Sequence, residues 1–385
     1  MKAPLKIPCV LMRGGTSKGV FLHLKDLPRE GKERDSLILA LFGSPDPRQI
    51  DGLGGATNQT SKLAVVSRSE RPDADVDYLF GQVSIGKATI HYHENCGNLS
   101  SAVGPFAIEE GLVEPKEPET LVRIFNVNTK KMIHAKVPVR EGKVLYEGDY
   151  EIAGVPGRGA EIRLTFFQPG GSLTGKLLPT GKSIDKVKLK DGRELEVTIL
   201  DAGNPIALLR AEDLRLKGKE LPEELSRKRD VLGVLEEVRS IACELLGIVA
   251  DRKEATSLSP SVPKVAFLSS PQSYLDSWGR EVREEDIHLT ARVMSMQTPH
   301  PAYAVTGAIP TAAAARLPGT LAHELAREEP GEGVVLGHPS GRMAVGVSYR
   351  KQGGEFRLES ATIGRTARRL MEGWAYVPRE RIEFA

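Results

Sequence analysis

Short strands recur along almost the whole of this chain, and two short, mostly apolar stretches among them have helical character on either side of its middle. Apolar runs at 5–11, 76–85, 121–127, 132–139, 195–200, 264–268 and 342–349 read as strands bounded by turns. The two apolar helix candidates, 99–112 and 308–317, lie on either side of the loop 168–182. That loop's Gly, Pro, Ser and Thr content makes it the best linker in the chain. Each helix then has several strands of its own to cover it, which implies two related β-rich halves, each wrapped around a helix. A faint echo between Asn128-Thr-Lys-Lys…Val137-Pro138 and Arg365-Thr-Ala-Arg-Arg…Val377-Pro378 points the same way. Further helices are expected over 33–42, ended by Gly43, and over 221–249, with Pro222 near its start. Gly104-Pro105 should kink or shorten the first central helix, and Pro310 falls in the first turn of the second.

Composition narrows the function classes. The chain has 385 residues, enough for two or three domains with real cores, and a net charge of +2. That charge gives no reason to expect nucleic acid or a membrane surface as partner. No apolar run reaches about 18 residues, so no membrane span is expected. The N-terminus lacks an apolar core of signal-peptide length. Three cysteines, at positions 9, 96 and 243, form neither a disulfide framework nor a zinc pattern. A cytoplasmic setting is the default, and a homodimer the default assembly. The 5–11 alternation puts Cys9 on the apolar side of its strand.

Cys96 is different. It sits in Asn95-Cys96-Gly97-Asn98, between the strand-like run 88–93 and the helix candidate 99–112. The N-terminus of a helix presents unpaired N–H groups and a partial positive charge, which favour a thiolate or a bound carboxylate. A small buried cysteine is the plain alternative, but the flanking Gly97, Asn95 and Asn98 are loop formers. The segment Met12-Arg-Gly-Gly-Thr-Ser-Lys-Gly19 reads first as a hairpin turn. Its glycines also let the backbone approach a ligand, and Arg13, Thr16, Ser17 and Lys18 supply donors and charge suited to a carboxylate. Lys62 stands at the mouth of an apolar strand, where partial burial would make it a base. Alone it reads as a surface lysine; paired with Cys96 it gives two titratable groups able to work across a substrate.

Other motifs weigh less. Gly170-Gly-Ser-Leu-Thr-Gly175-Lys176 spells most of a phosphate loop, but Leu177 replaces the Ser or Thr that would hold magnesium, and Pro179 and Gly181 block a helix. A nucleotide triphosphatase is therefore rejected. Gly52-Leu-Gly-Gly55 fails the dinucleotide spacing. His91 and His93 share a strand face without completing a zinc pattern. The turns Asp201-Ala-Gly-Asn204-Pro205 and Gly337-His-Pro-Ser-Gly341 could line a cleft. Thr306-Gly-Ala308, just ahead of the second central helix, offers another helix start to an anion.

Taken in order, these segments resemble the PrpF family: Met12–Gly19, Gly52-Leu-Gly-Gly55, Thr60-Ser-Lys62, Asn95-Cys-Gly-Asn98, Asp201-Ala-Gly-Asn-Pro205, Thr306-Gly-Ala308 and Gly337-His-Pro-Ser-Gly341. The family includes 2-methylaconitate cis-trans isomerase, 3-methylitaconate isomerase and 4-oxalomesaconate tautomerase. The resemblance implies an α+β, β-rich, diaminopimelate-epimerase-like fold of two similar β-barrel-like halves, each around a central helix, with the active site in the cleft between them. The halves would span 1–183 and 184–372, with a C-terminal strand in 373–385, around 375–384, returning to the first half. The implied chemistry is cofactor-independent proton transfer across the allylic system of an unsaturated di- or tricarboxylic acid, with no metal. A keto–enol tautomerase and a non-catalytic carboxylate-binding accessory protein are the alternatives. The epimerases place a cysteine in each half, whereas here the second-half loop reads Thr306-Gly-Ala308, so a two-thiol racemase is not expected. The isomerase branch pairs its cysteine with a lysine, which Lys62 matches. Lys62, Cys96 and Ser17 are thus the expected catalytic residues, with base and acid unassigned between Lys62 and Cys96. Arg13, Gly15, Thr16, Gly97, Asn98, Asn204, Thr306, Gly307, Ser340 and Gly341 are the expected substrate-binding residues.

Overall fold

The alternating run near the N-terminus becomes an antiparallel hairpin, in which strand β1 (Leu5–Gly14) turns at Gly15-Thr16 into β2 (Ser17–His23). The computed structural model describes residues 3–329, 331, 333–352 and 355–383. They belong to two compact units. The first comprises Met1–Glu151, Val155–Leu164 and Arg365–Ala385; the second comprises Ile152–Gly154 and Thr165–Gly364.

In the first unit β2 pairs in parallel with β3 (Lys62–Arg68), and β3 antiparallel with β4 (Val76–Val83). Strand β4 pairs in parallel with β5 (Glu119–Asn126), and β5 antiparallel with β6 (Lys131–Arg140). The C-terminal strand Ala367–Val377 runs antiparallel along β1. Strand side chains alternate between faces. Val20, Leu22, Leu63 and Val65 pack on helix α1 (Lys32–Phe42), which ends at a left-handed Gly43. The opposite face holds helix α2 (Gly97–Glu109), where Phe106 lies against Phe21 with ring centroids 5.3 Å apart. Every residue of α2 from Gly97 to Ile108 is buried, which explains a helix apolar or small on all sides.

The second unit repeats the scheme. Strands β7 (Glu194–Ala202) and β8 (Asn204–Arg210) form an antiparallel hairpin, and β8 pairs in parallel with β9 (Lys264–Ser269). Strand β9 is antiparallel to β10 (Leu289–Ser295), which is parallel to β11 (Gly333–His338), itself antiparallel to β12 (Gly341–Gln352). Ala207, Leu209, Val265 and Phe267 pack on helix α3 (Arg229–Leu245). Helix α4 (Val305–Ala315) is buried along its whole length.

Several boundaries differ from the sequence reading. Pro105 lies inside α2 without ending it, and the adjacent Gly104 lets the helix approach β6: a Cβ there would come within 2.7 Å of Val137. Helix α4 starts at Val305, so Thr306 and Gly307 lie within it and Pro310 falls in its second turn. The 221–249 periodicity divides into Pro222–Arg227 and Arg229–Leu245, separated at Lys228. The C-terminal strand ends at Val377 and a turn at Arg379–Arg381 follows. Residues 384 and 385, where the expected strand would finish, lie outside the described residues. No helix among the described residues is long and apolar enough to cross a membrane.

Candidate active site

Cys96 caps α2. Its backbone is extended, and its sulfur accepts from the Leu99 N–H at 3.4 Å. The thiol is 8% exposed, and the Ser17 hydroxyl lies 3.7 Å from the sulfur. Beneath it, Ser100 Oγ donates to the Cys96 carbonyl (3.0 Å) and to Asn95 Oδ1 (3.4 Å), and Asn126 Nδ2 also donates to Asn95 Oδ1 (3.3 Å). This polar layer fixes the backbone on which the thiol stands. The buried Tyr78 hydroxyl belongs to the same neighbourhood, and burial pushes its pKa well up, with the Cys96 charge adding to the effect.

The β1–β2 turn packs directly on this helix start. The Thr16 N–H donates to Asn98 Oδ1 at 3.4 Å. Gly15 has φ +52°, and a Cβ there would collide with Asn98 Oδ1. The turn therefore requires glycine for both conformation and space. Arg13 braces it, donating from Nη1 to the carbonyls of Gly15 (3.0 Å) and Thr366 (2.9 Å).

Lys62 opens β3 opposite Gly19, two residues beyond Ser17 on the same strand face. Its Nζ donates to Gln82 Oε1 at 2.6 Å and lies 5.2 Å from the centre of the Phe80 ring. Gln82, 2% exposed, donates from Nε2 to the carbonyls of Ser61 (3.1 Å) and Asn58 (3.3 Å). Two carbonyls thus hold the amide nitrogen and turn its oxygen toward Lys62. Within the first unit, Ser17, Lys62, Cys96, Gly97 and Asn98, with Gly15 and Thr16, gather at one end of α2. Gln82 completes the group, and the sequence reading missed it.

The remaining expected residues gather in the second unit. Asn204, 2% exposed, follows the left-handed Gly203 and opens β8. Gly307 approaches Ile206, two residues further on, and a Cβ on it would lie 3.7 Å from Ile206 Cδ1. Ser340 donates to the Pro301 carbonyl at 2.5 Å, on the segment entering α4. Its turn is held by Tyr274, whose hydroxyl donates to the carbonyls of His338 (2.8 Å) and Gly341 (3.2 Å).

The phosphate-loop look-alike folds around a carboxylate of its own chain. Asp201, fully buried, accepts from Ser172 Oγ (2.6 Å), Leu173 N (2.9 Å), Thr174 N (2.8 Å) and Thr174 Oγ1 (2.9 Å). The same loop receives the Gly203 N–H on the Pro169 carbonyl at 2.8 Å, so it clamps the hairpin that carries Asn204. Among the described residues, no group of three or more His, Cys, Asp or Glu is placed to share a metal ion.

A family profile described as PrpF protein matches residues 4–378. The chain belongs to the PrpF family. A 3-methylitaconate isomerase of Eubacterium barkeri is 45% identical to this PrpF protein, over 99% of this chain and 100% of that one. A 2-methyl-aconitate isomerase of Shewanella oneidensis (strain ATCC 700550 / JCM 31522 / CIP 106686 / LMG 19005 / NCIMB 14063 / MR-1) is 40% identical, over 97% and 98%. The crystal structure of a methylitaconate-delta-isomerase superposes with a TM-score of 0.81 at 43% identity, covering 100% of this chain and 98% of that one. A hydroxyproline epimerase from Agrobacterium vitis, 12% identical over 96% and 92%, superposes at 0.57 and shares the fold. This PrpF protein is accordingly an isomerase with an epimerase-like fold.

Proposed function

We propose that this isomerase moves a proton across the allylic system of an unsaturated di- or tricarboxylic acid of the methylitaconate or methylaconitate type, with Lys62 and Cys96 as the proton-transfer pair. The observation that carries the reading is the pairing at one end of α2: a thiol at the helix cap touching Ser17, and an amine held by Gln82 at the strand mouth beside it. One group takes a proton from the carbon α to a carboxylate. The electron pair spreads through the double bond as a dienolate, and the other group returns a proton to the far end of the three-carbon system. The amides of Gly97 and Asn98, the first two of the helix, stand outside the intrahelical ladder and face the charge as it develops.

The test is solvent-deuterium incorporation into methylitaconate, methylaconitates, aconitates and oxalomesaconate, followed by kinetics on whichever acid exchanges. Lys62→Ala should abolish isomerisation with the circular dichroism unchanged. Cys96→Ser should lower kcat more than it raises KM, since a positioned acid or base contributes about 10²–10⁴ in rate. Wild-type kcat in both variants would overturn the two-base assignment.

A further inference from the structure

The Gly52-Leu-Gly-Gly55 run, whose spacing fails the dinucleotide pattern, has a different task in the first unit. It folds back on the end of α1: the Leu53 N–H donates to the Leu41 carbonyl at 2.9 Å, and the Gly54 N–H to the Phe42 carbonyl at 3.2 Å. A Cβ on Gly52 would collide with the backbone of Phe42 and Gly43, and one on Gly54 with the side-chain amide of Gln49. Gln49, 2% exposed, has a left-handed backbone with φ +48°. A non-glycine residue held in that conformation is fixed by what surrounds it. Its amide ties three segments together. Oε1 accepts from the Ser61 hydroxyl at 2.6 Å and from the Ala56 N–H at 2.7 Å, and Nε2 donates to Ser44 Oγ at 3.1 Å. Ser61, fully buried, directly precedes Lys62. Its carbonyl accepts from the Val83 N–H and from Gln82 Nε2, each at 3.1 Å. Gln82 Oε1 in turn accepts from Lys62 Nζ. Hydrogen bonds thus run without a break from Gln49 through Ser61 and Gln82 to the amine.

We propose that Gln49 is a positioning residue for Lys62: by holding Ser61 from behind, it fixes the carbonyl that orients the Gln82 amide, and so the direction of the amine. This rests on the proton-transfer role proposed above for Lys62. Without the Gln49 amide, the buried Ser61 hydroxyl and the Ala56 N–H lose their acceptor, and the backbone before Lys62 must shift to find another. A carboxamide is aimed by the carbonyls its nitrogen meets. Once the Ser61 carbonyl moves, the Gln82 oxygen turns away from Lys62. Proton transfer depends steeply on alignment, so the displacement falls on the rate rather than on substrate binding.

Gln49→Met keeps the length of the side chain and removes the amide. It should lower kcat about 3- to 10-fold with KM little changed, as expected for a catalytic group misaligned but still present. Combining it with Gln82→Met gives the sharper comparison. Both residues act through Lys62, so the double variant should lose little more kcat than Gln82→Met alone. Gln49→Glu keeps the oxygen that accepts from Ser61 and Ala56 but loses the donation to Ser44. It should recover most of kcat while melting below the wild type, a split that a merely structural residue would not produce. Trace acetylation read by peptide mass spectrometry, with the exposed Lys188 as internal standard, should label Lys62 several-fold faster in Gln49→Met. Wild-type kcat in Gln49→Met, a loss confined to KM, or losses that multiply in full in the double variant would overturn the proposal. If Gln49→Met fails to fold by circular dichroism, Ser61→Ala, which removes the 2.6 Å bond alone, enters the same cycle. Wild-type kcat in Lys62→Ala would sink the two-base reading, and the labelling would still report whether Gln49 holds the amine. Unchanged labelling would sink the positioning role, whichever acid is the substrate.

Discussion

Gln82 offers the sharpest test of how this site is held. Gln82→Met removes three hydrogen bonds at once: the 2.6 Å bond from Lys62 Nζ and the donations to Ser61 and Asn58. The bond to Lys62 involves a charged donor, a class worth about 1.5–3 kcal/mol net. Lys62 is partly exposed, so water will replace some of it, and the low end of that range applies. Without Gln82 the lysine regains rotamers, and only a fraction of them aim the amine at the substrate. A penalty of about 1.5 kcal/mol on the productive geometry lowers kcat roughly tenfold. KM should change little, because the substrate's carboxylates do not bind Gln82 in the proposed reaction. Gln82→Glu separates positioning from charge. It would set carboxylate oxygen against the Ser61 and Asn58 carbonyls, where the amide now donates, so it should melt lower than the methionine variant. Steady-state kinetics and thermal melts of both variants provide the readout. Wild-type kcat in Gln82→Met, or a loss wholly in KM, would refute the idea that this amide aims the lysine.

Three further outcomes follow from the geometry. Asp201→Ala leaves the donors of the 172–174 turn without their carboxylate; because that turn is partly exposed and can rehydrate, the cost should be about 2–4 kcal/mol rather than the sum of four charged bonds, read from urea unfolding. A loss under about 0.5 kcal/mol would mean that the loop does not depend on its internal anion. Gly15→Ala forces a left-handed alanine onto Asn98 and should lower kcat/KM by about tenfold or more together with the melting temperature; unchanged kinetics would show that the loop does not set the site. Burial raises the Glu110 carboxyl, but hydrogen bonds from Arg369 and His23 outweigh it and hold the pKa below the usual range. Its stabilisation is therefore present above the unfolded value near 4.3 and is lost as pH falls through the lower folded value. Glu110→Gln should melt below the wild type at pH 7, and the gap should close in acid; a gap independent of pH would contradict the assignment.

The fold was legible where side chains alternate and where turns are marked by glycine, as in the β1–β2 and β7–β8 hairpins. Strand β10 was not, because Arg292 interrupts an apolar run. The structure buries that arginine to 1% exposure and directs its Nε to the Glu220 carbonyl at 2.6 Å, a long-range partner invisible to local pattern. Strand β11 was hidden because Gly337 and His338, its last two residues, read as part of a turn. The start of α4 was misplaced because Thr306 and Gly307 look like loop residues. Burial of the whole helix by surrounding strands overrides that local preference.

The site was legible in part for a different reason. Cys96 stood out because loop-forming residues surround it at the junction of a strand and a helix, so its capping role follows from chain order. Gln82 carries no such mark: it is one polar residue in a strand, and its meaning comes from the register that sets it opposite Lys62. Register also marks Lys62, which opens a strand running parallel to the second strand of the β1–β2 hairpin. The repeat supplies two buried helices, and the sequence makes their starts chemically unlike. Cys96 caps α2 with a sulfur, whereas the cap of α4 is Ala304, which has no polar side chain to offer. Under the proposed reaction a symmetric pair of thiols would serve removal and return of a proton at one carbon. An allylic shift removes it at one carbon and returns it two atoms away. A thiol and an amine at the same helix start suit that displacement better than two matched bases.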